Sequence, residues 1–201
     1  MISKQIKLFK EILINDLFIN NYTIAISIAI VIDWLMISYF TKAMGMYVPL
    51  YIISMYYIVG ELAGYTEPYF KKVTTATTFL ILIVLDTAQL MVIFISFYDD
   101  VLFTYLLMII FSLQAILYEI YSIKTAQYIE NYVDKYRVSE VLSVLLFNRS
   151  NMIITGLLLS VVYSLIFQTY DMLFTFIIVL MTVSIYYEYK LYSYIKVNKI
   201  I

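Results

Sequence analysis

Residues 71–100 read KKVTTATTFLILIVLDTAQLMVIFISFYDD, and this stretch contains the pattern that decides the fold. It opens with two lysines and closes with two aspartates, and between them residues 73–98 carry a single charge, that of Asp86. An α-helix rises about 1.5 Å per residue, so the stretch is long enough to cross a hydrocarbon core about 30 Å thick. The pattern predicts a transmembrane helix with one basic end and one acidic end.

Similar apolar stretches occupy most of the remaining chain. The predicted spans are 22–40, 46–64, 73–98, 101–123, 141–167 and 170–189. The composition agrees, because 64% of the 201 residues are hydrophobic and only 13% are charged, whereas a soluble domain has about 25% charged residues. We therefore predict an all-α, polytopic membrane protein in which residues 21–201 form one domain of six transmembrane helices.

The basic residues lie almost entirely in alternate gaps between these spans. Eleven of the 13 precede the first span or follow the second, fourth or sixth: Lys4, Lys7, Lys10, Lys71, Lys72, Lys124, Lys135, Arg137, Lys190, Lys196 and Lys199. The opposite gaps contain only Lys42, and Arg149 lies inside a span. Because cytoplasmic loops are enriched in Lys and Arg, we expect both termini in the cytoplasm and a multi-pass protein of the cell membrane.

Residues 1–20 have a helical pattern of their own. Apolar residues fall on one face and charged residues on the other: Ile2, Ile6, Phe9, Leu13 and Leu17 against Lys4, Lys7 and Glu11. The pattern favours an amphipathic helix on the cytoplasmic membrane surface, with its lysines facing anionic lipid headgroups. A simple lead-in to the first transmembrane helix explains the pattern equally well.

The residue types that most enzymes depend on are missing. The chain contains no histidine and no cysteine, which removes the commonest general base, the commonest metal ligand and the thiol nucleophile. It also contains no glycine-rich phosphate loop, and its Lys and Arg residues do not cluster as they do in nucleic-acid-binding proteins. We therefore expect no catalytic residues, no metal, no cofactor and no nucleic-acid partner.

Polar groups inside the predicted spans are the candidates for function. They are Asp33, Asp86 with Gln89 one turn later, Glu119 and Arg149. A charge at the bilayer centre costs at least about 2.5–3.5 kcal/mol, so such groups face protein or a wet cavity. One hypothesis is a substrate cavity with a protonatable carboxylate, for which Asp33 is the first choice. The alternative is structural, with an ion pair between Glu119 and Arg149 joining two helices.

Three short motifs occur in a fixed order along the chain: Ile32-Asp33-Trp34, the loop Glu67-Pro68-Tyr69-Phe70-Lys71-Lys72, and the stretch from Ser139 to Leu158. They resemble the Gly-Asp-Trp element, the cytoplasmic signature loop and the lead into the fifth helix of the amino-terminal half of major facilitator superfamily transporters, particularly the multidrug and siderophore exporter branch. Pro68 stands where the family loop has Arg or Lys, and the fourth span lacks the family's buried arginine.

The resemblance implies a half-size transporter in which Glu67, Lys71 and Lys72 act as the signature-loop gate. The two halves of this superfamily are parallel repeats related by an axis along the membrane normal. A homodimer, or a heterodimer with a separately encoded six-helix half, would therefore complete the transporter. We expect it to export a small amphipathic compound or peptide.

Two other functions are compatible with the sequence. A non-transporting immunity or accessory protein of a peptide exporter would tolerate the loss of its intramembrane charges. The permease subunit of an ATP-driven exporter would need an ATPase partner that grips the segment 124–140.

Overall fold

The computed structural model describes residues 16–44, 73–95, 100–133, 135–166 and 170–200, together with the isolated residues Glu11, Leu50, Tyr51, Ser54, Ile58, Leu62 and Pro68. All regular secondary structure in these ranges is helical, which confirms the predicted all-α class. The long helices are α1 (Leu17–Met44), α2 (Thr75–Ile95), α3 (Asp100–Tyr132), α4 (Val138–Ile166) and α5 (Tyr170–Val197).

Each of these five helices is long and apolar enough to cross a membrane. They match the predicted spans 22–40, 73–98, 101–123, 141–167 and 170–189, and they are the helices of a multi-pass membrane protein. The predicted span 46–64 lies outside the described residues except for a few isolated positions, as does most of the predicted helix 1–20.

Helix α3 is longer than the apolar pattern indicates. It continues past the predicted end at 123 to Tyr132, because residues 124–137 contain no glycine or proline that would stop it. The connection 124–140, predicted as a solvated helical segment at the cytoplasmic face, is helical as far as Tyr132, where α3 ends, and has a turn at 135–137 before α4. Lys124 is only 2% exposed and donates from Nζ to Oε1 of Gln127 at 3.1 Å, so it lies within the bundle.

Short polar side chains define where α1 and α2 begin. The Asp16 carboxylate accepts from the backbone N–H of Ile19 at 3.0 Å, and the Thr74 hydroxyl accepts from that of Thr77 at 3.2 Å. These bonds satisfy N–H groups that the first turn of a helix leaves without partners. Asp16 also accepts from the Tyr128 hydroxyl at 3.3 Å, which joins the start of α1 to α3.

Helix α1 is the central element. It packs against α4 and α5, α5 packs against α2, and α2 packs against α3, while α3 and α4 share only a narrow contact. No side chain of α1 from Phe18 to Tyr39 is exposed. Helix α4, in contrast, has a broad exposed apolar face that includes Leu146, Leu158 and Leu165.

Two hydrophobic clusters give the direction of each helix. One joins the starts of α1, α2 and α4 to the ends of α3 and α5 and includes Phe18, Phe79, Tyr128, Val141 and Ile195. The other joins the opposite helix ends and includes Tyr39, Ile93, Phe103, Tyr163 and Phe174. We call the first end the basic end, because it carries Lys124, Lys135, Arg137, Lys190, Lys196 and Lys199. The second is the far end.

Helix α1 ends at the far end of the bundle, whereas α2 begins at the basic end. Both helices begin at the basic end, so the chain has to return from the far end between Met44 and Thr75. The predicted span 46–64 lies within the connection between α1 and α2. Tyr51, one of its described residues, forms a hydrogen bond through its hydroxyl with Oγ of Ser112 in α3 at 3.1 Å.

The bundle has an apolar surface and a partly polar interior. Its exposed residues include Val84, Met91, Ile109, Leu158 and Val179, and its buried residues include Asp86, Gln89, Gln114, Asn148 and Glu188. Membrane helices face lipid with apolar side chains and keep polar groups among protein neighbours. This distribution is therefore the one expected of a bundle surrounded by hydrocarbon.

Gly156 allows α4 to approach α1 closely. A Cβ at this position would lie 2.9 Å from Cδ1 and 3.0 Å from Cβ of Trp34. One turn later, the Ser160 hydroxyl lies 2.9 Å from the Trp34 carbonyl oxygen, to which it donates. Small residues at helix contacts permit such close packing in membranes.

The orientation of the bundle can be tested with single cysteines, because the chain has none of its own. We predict that a membrane-impermeant maleimide labels Asp171→Cys at the far end of intact cells. Lys199→Cys at the basic end should react only after permeabilisation, because the basic end is expected to face the cytoplasm. If only Lys199→Cys is labelled in intact cells, the basic end faces outward and the predicted orientation is wrong.

A second prediction concerns the contact between α1 and α4. Gly156→Ala should lower the stability by about 1–3 kcal/mol, because the added methyl group displaces Trp34. Unfolding of the purified protein in mixed micelles measures the change. The control is Ile154→Ala on the same helix, whose side chain is 55% exposed and should matter less. Equal losses in both variants would contradict a special role for Gly156.

Candidate functional site

A groove with a volume of about 310 Å³ opens between α1, α3 and α4. It exists because α3 barely touches α4, which packs along α1, and reaches α1 itself through aromatic contacts such as that of Tyr121 with Tyr22. The groove lies in the half of the bundle nearer the basic end, where its walls run from Ile129 and Tyr22 toward Asp33.

Two of the predicted candidates line this groove. Asp33 of α1 and Arg149 of α4 both contribute to its wall, together with Asn148 and the α3 residues Tyr118 and Ser122. Asp33 is half-buried and Arg149 is exposed within the groove. The groove therefore offers a carboxylate and a guanidinium to one ligand.

The contacts between α1 and α4 fix the positions of these two charges. Asn148, which precedes Arg149, donates from Nδ2 to Oγ of Ser27 at 2.8 Å. At the other end of the groove, the Trp34 ring next to Asp33 packs against Gly156. The register of α4 along α1 is thus held on both sides of the groove.

The rest of the wall is mostly apolar. It includes Ile26 and Ile30 of α1 and Leu142, Leu145 and Leu146 of α4. Leu142 and Leu146 are also exposed on the outer surface, so the groove opens sideways toward the region that lipid occupies. An apolar wall with a few fixed polar groups is typical of sites for small amphipathic ligands.

A second polar site lies inside the bundle, and we call it the buried polar cluster. It consists of Asp86 and Gln89 of α2, Gln114 and Tyr121 of α3, and Ser184 and Glu188 of α5. Nε2 of Gln114 donates to Oδ1 of Asp86 at 2.9 Å and also to Oε1 of Gln89. The Asp86 and Glu188 carboxyl groups are close neighbours, and the Ser184 hydroxyl donates to Oε1 of Glu188 at 3.3 Å.

The predicted candidates therefore belong to two places. Asp33 and Arg149 both line the groove, whereas Asp86 and Gln89 belong to the buried polar cluster. The Glu119 side chain lies outside the described part of the structure, so its pairing with Arg149 stays a prediction. The gate candidates Glu67, Lys71 and Lys72 also lie outside it.

Sequence reasoning missed Gln114 and Glu188. Glu188 stands at the end of the predicted span 170–189, just before Lys190, where a carboxylate normally reaches water. The available signal was that Ser184, Glu188, Leu191 and Ile195 continue one helical face beyond that end, and all four are buried. Gln114 is uncharged, and its central position in a span was its only signal.

No protein-family model, curated protein or solved structure matches this chain. Its function has to be inferred from the groove and the buried polar cluster.

Proposed function

We propose that this chain is a six-span half-transporter that pairs with a second six-helix half in the cell membrane and exports a small amphipathic compound or peptide. The groove carries this proposal, because it places Asp33 and Arg149 on an apolar wall inside the membrane-spanning part. Ionisable groups in such positions commonly mark substrate or ion pathways.

The direction of the helices supports six crossings. The described helices account for five of them, and we propose that the predicted span 46–64, between Met44 and Thr75, is the sixth. An even number of crossings leaves the start of α1 and the end of α5 on the same side, at the basic end. The positive-inside rule then places both in the cytoplasm.

The packing pattern supports the resemblance to the major facilitator superfamily. The helix contacts fit an internal repeat in which α3 corresponds to α1 and α5 corresponds to α2. The contact between α1 and α5 then corresponds to the contact between α3 and α2, and the contact between α2 and α5 corresponds to itself. Helix α1 begins at the basic end and α3 at the far end, so the two sets are inverted relative to each other. Inverted three-helix repeats occur within each half of transporters of that superfamily.

One further contact fits the same correspondence of α1 with α3 and of α2 with α5. The α1–α4 contact would correspond to a contact between α3 and the connection that contains the predicted span 46–64. The hydrogen bond from Tyr51 to Ser112 is of this kind. Substrate sites of such transporters lie at the interface between repeats, and the groove lies between α1 and α3, which begin the two sets.

The exposure of Arg149 supports a second half. Arg149 lies about 16 Å along α4 from its start at the basic end, well inside the predicted hydrocarbon region. Its side chain is exposed in an isolated copy of the chain, and a guanidinium facing lipid is costly. A second six-helix half over the groove would cover it.

The two alternative functions gain less support. An ATPase partner would need the segment 124–140 as a docking loop, but most of that segment is part of α3 and only a short turn separates it from α4. An immunity or accessory protein would not need the charges of Asp33 and Arg149, and this difference is testable.

The transport experiment exchanges the chromosomal allele in the native cells, so that any second half is present, and uses ethidium as an amphipathic cationic probe. We predict that Asp33→Asn reduces ethidium efflux about tenfold or more, equivalent to losing one charge-assisted contact of about 1.5 kcal/mol. Glu140→Gln, which changes an exposed carboxylate at the basic end, serves as the control. If cells with Asp33→Asn keep full ethidium efflux, Asp33 does not belong to the substrate site.

The same variants separate a substrate site from a structural ion pair. Arg149→Gln and the double variant are compared with Asp33→Asn for stability in micelles. If each single variant loses stability and the double variant recovers it, the two charges stabilise each other, and the groove loses its functional interpretation. Independent, small stability changes support the substrate site.

Assembly is tested by crosslinking in native membranes. We predict that Leu146→Cys at the mouth of the groove crosslinks through a bifunctional maleimide to a second copy or to another membrane protein of similar size. Val84→Cys on α2 is equally accessible and should remain monomeric. If both variants remain monomeric, the half-transporter proposal is wrong, because a lone half would leave Arg149 against lipid.

A further inference from the structure

Asp86 of α2 and Glu188 of α5 meet in the interior, where their side chains are 5% and 2% exposed. Two neighbouring carboxylates repel each other and offer only acceptors, so in a dry interior one of the two carboxyl groups holds a proton. Each residue lies within a helix that is long and apolar enough to span the membrane. The pair therefore holds a proton at a position that bulk water does not reach directly.

The surroundings of the pair contain no compensating cation among the described side chains. The hydrogen-bond donors to the two carboxyl groups are Gln114 of α3, which bonds Asp86, and Ser184 of α5, which bonds Glu188. The titratable group beside them is Tyr121 of α3, which stacks on Tyr22 of α1 with ring centroids 4.7 Å apart. With one shared proton, the pair keeps one negative charge.

Several buried polar atoms of the cluster have no partner among the described residues. They are Oε1 of Gln114, the Tyr121 hydroxyl, Oε2 of Glu188 and Nε2 of Gln89. Gln114 and Tyr121 are each 1% exposed. Oε1 of Gln114 belongs to the amide group whose nitrogen contacts Asp86, so it lies beside the pair. Such buried, unpaired polar atoms are unusual and call for a ligand.

We infer that the buried polar cluster is a binding site for one monovalent cation, either a second proton or an alkali-metal ion such as Na⁺. The unpaired oxygens of Gln114, Tyr121 and Glu188 are the ligand type that hard cations prefer. One added positive charge neutralises the pair, which a low-dielectric interior strongly favours. Among the described residues no group of three or more Asp, Glu, His or Cys side chains converges, so the site suits a singly charged ion.

The inference does not rest on the proposed transport function. It concerns ion binding to the folded chain, and it applies equally to a transporter and to an accessory membrane protein. The site joins α2, α3 and α5, so an ion bound there holds these three helices together.

The experiment follows unfolding of the purified protein in micelles that contain choline as the only other cation. A ligand that binds only the folded state raises the unfolding midpoint as its concentration increases. We expect the midpoint to rise with NaCl at constant ionic strength, or as the pH falls, and to gain nothing from choline. A proton bound only in the folded state stabilises at low pH, and this stabilisation is lost as the pH rises.

Matched amide variants assign the effect to the cluster. In Asp86→Asn and in Glu188→Gln the unfolding midpoint should no longer depend on NaCl or pH. In Glu140→Gln, which changes an exposed carboxylate on α4, this dependence should remain. If an amide variant does not fold, equilibrium dialysis of Na⁺ and the infrared carbonyl band of a protonated carboxyl group in the wild-type protein replace it.

Binding of an alkali-metal ion and binding of a proton give different results in these experiments. A rise with NaCl at fixed pH, with release of protons to an indicator dye, identifies an alkali-metal ion that competes with a proton. A dependence on pH alone identifies a proton. A wild-type protein that responds to neither, or a response that persists in both Asp86→Asn and Glu188→Gln, overturns the inference. None of these measurements involves transport, so failure here leaves the proposed function untouched.

Discussion

The burial of α1 among the other helices is the constraint on which the rest of the structure depends. Hydrocarbon offers no hydrogen bonds, so polar side chains on α1 have to find partners in neighbouring helices. Ser27 accepts from Asn148 of α4, and the Ser184 hydroxyl of α5 lies 3.5 Å from the Ala25 carbonyl oxygen. Together with the fit of Trp34 on Gly156, these contacts set the depth of α4 and α5 along α1. The groove is the space that remains where α3 fails to close against α4.

The two polar sites lie on different sides of this central helix and have different characters. The groove is open toward lipid, is mostly apolar and carries charges of both signs. The buried polar cluster is closed, is rich in hydrogen bonds and carries only acidic charges among its described members. A site that exchanges bulky molecules needs access, whereas a site for a single small ion needs many oxygens and little space. The division matches the difference between the proposed solute site and the inferred ion site.

The sequence was informative where a single physical property decides the outcome. The lengths of the apolar stretches predicted all five long helices that the structure describes, because crossing hydrocarbon requires about 20 apolar residues. It did not predict that α3 continues to Tyr132, since hydropathy marks the membrane core and not the end of a helix. Asp33, Arg149 and Asp86 were identified from their cost in lipid. That the first two share a groove depends on helix packing, and Glu188 was missed because its burial arises from neighbours on α1 and α2.

The stack of Tyr22 on Tyr121 has a thermodynamic consequence. Tyr22 lines the groove, and Tyr121 lies beside the carboxyl pair, so one ring contact separates the two sites. A molecule in the groove that shifts Tyr22 also changes the support of Tyr121 and hence the affinity for an ion. Linkage requires the reverse effect to be equal in free energy, so an ion in the cluster must change the affinity of the groove by the same factor. Under the proposed function and the inferred ion site, two aromatic rings would connect the solute in the groove with the ion in the cluster.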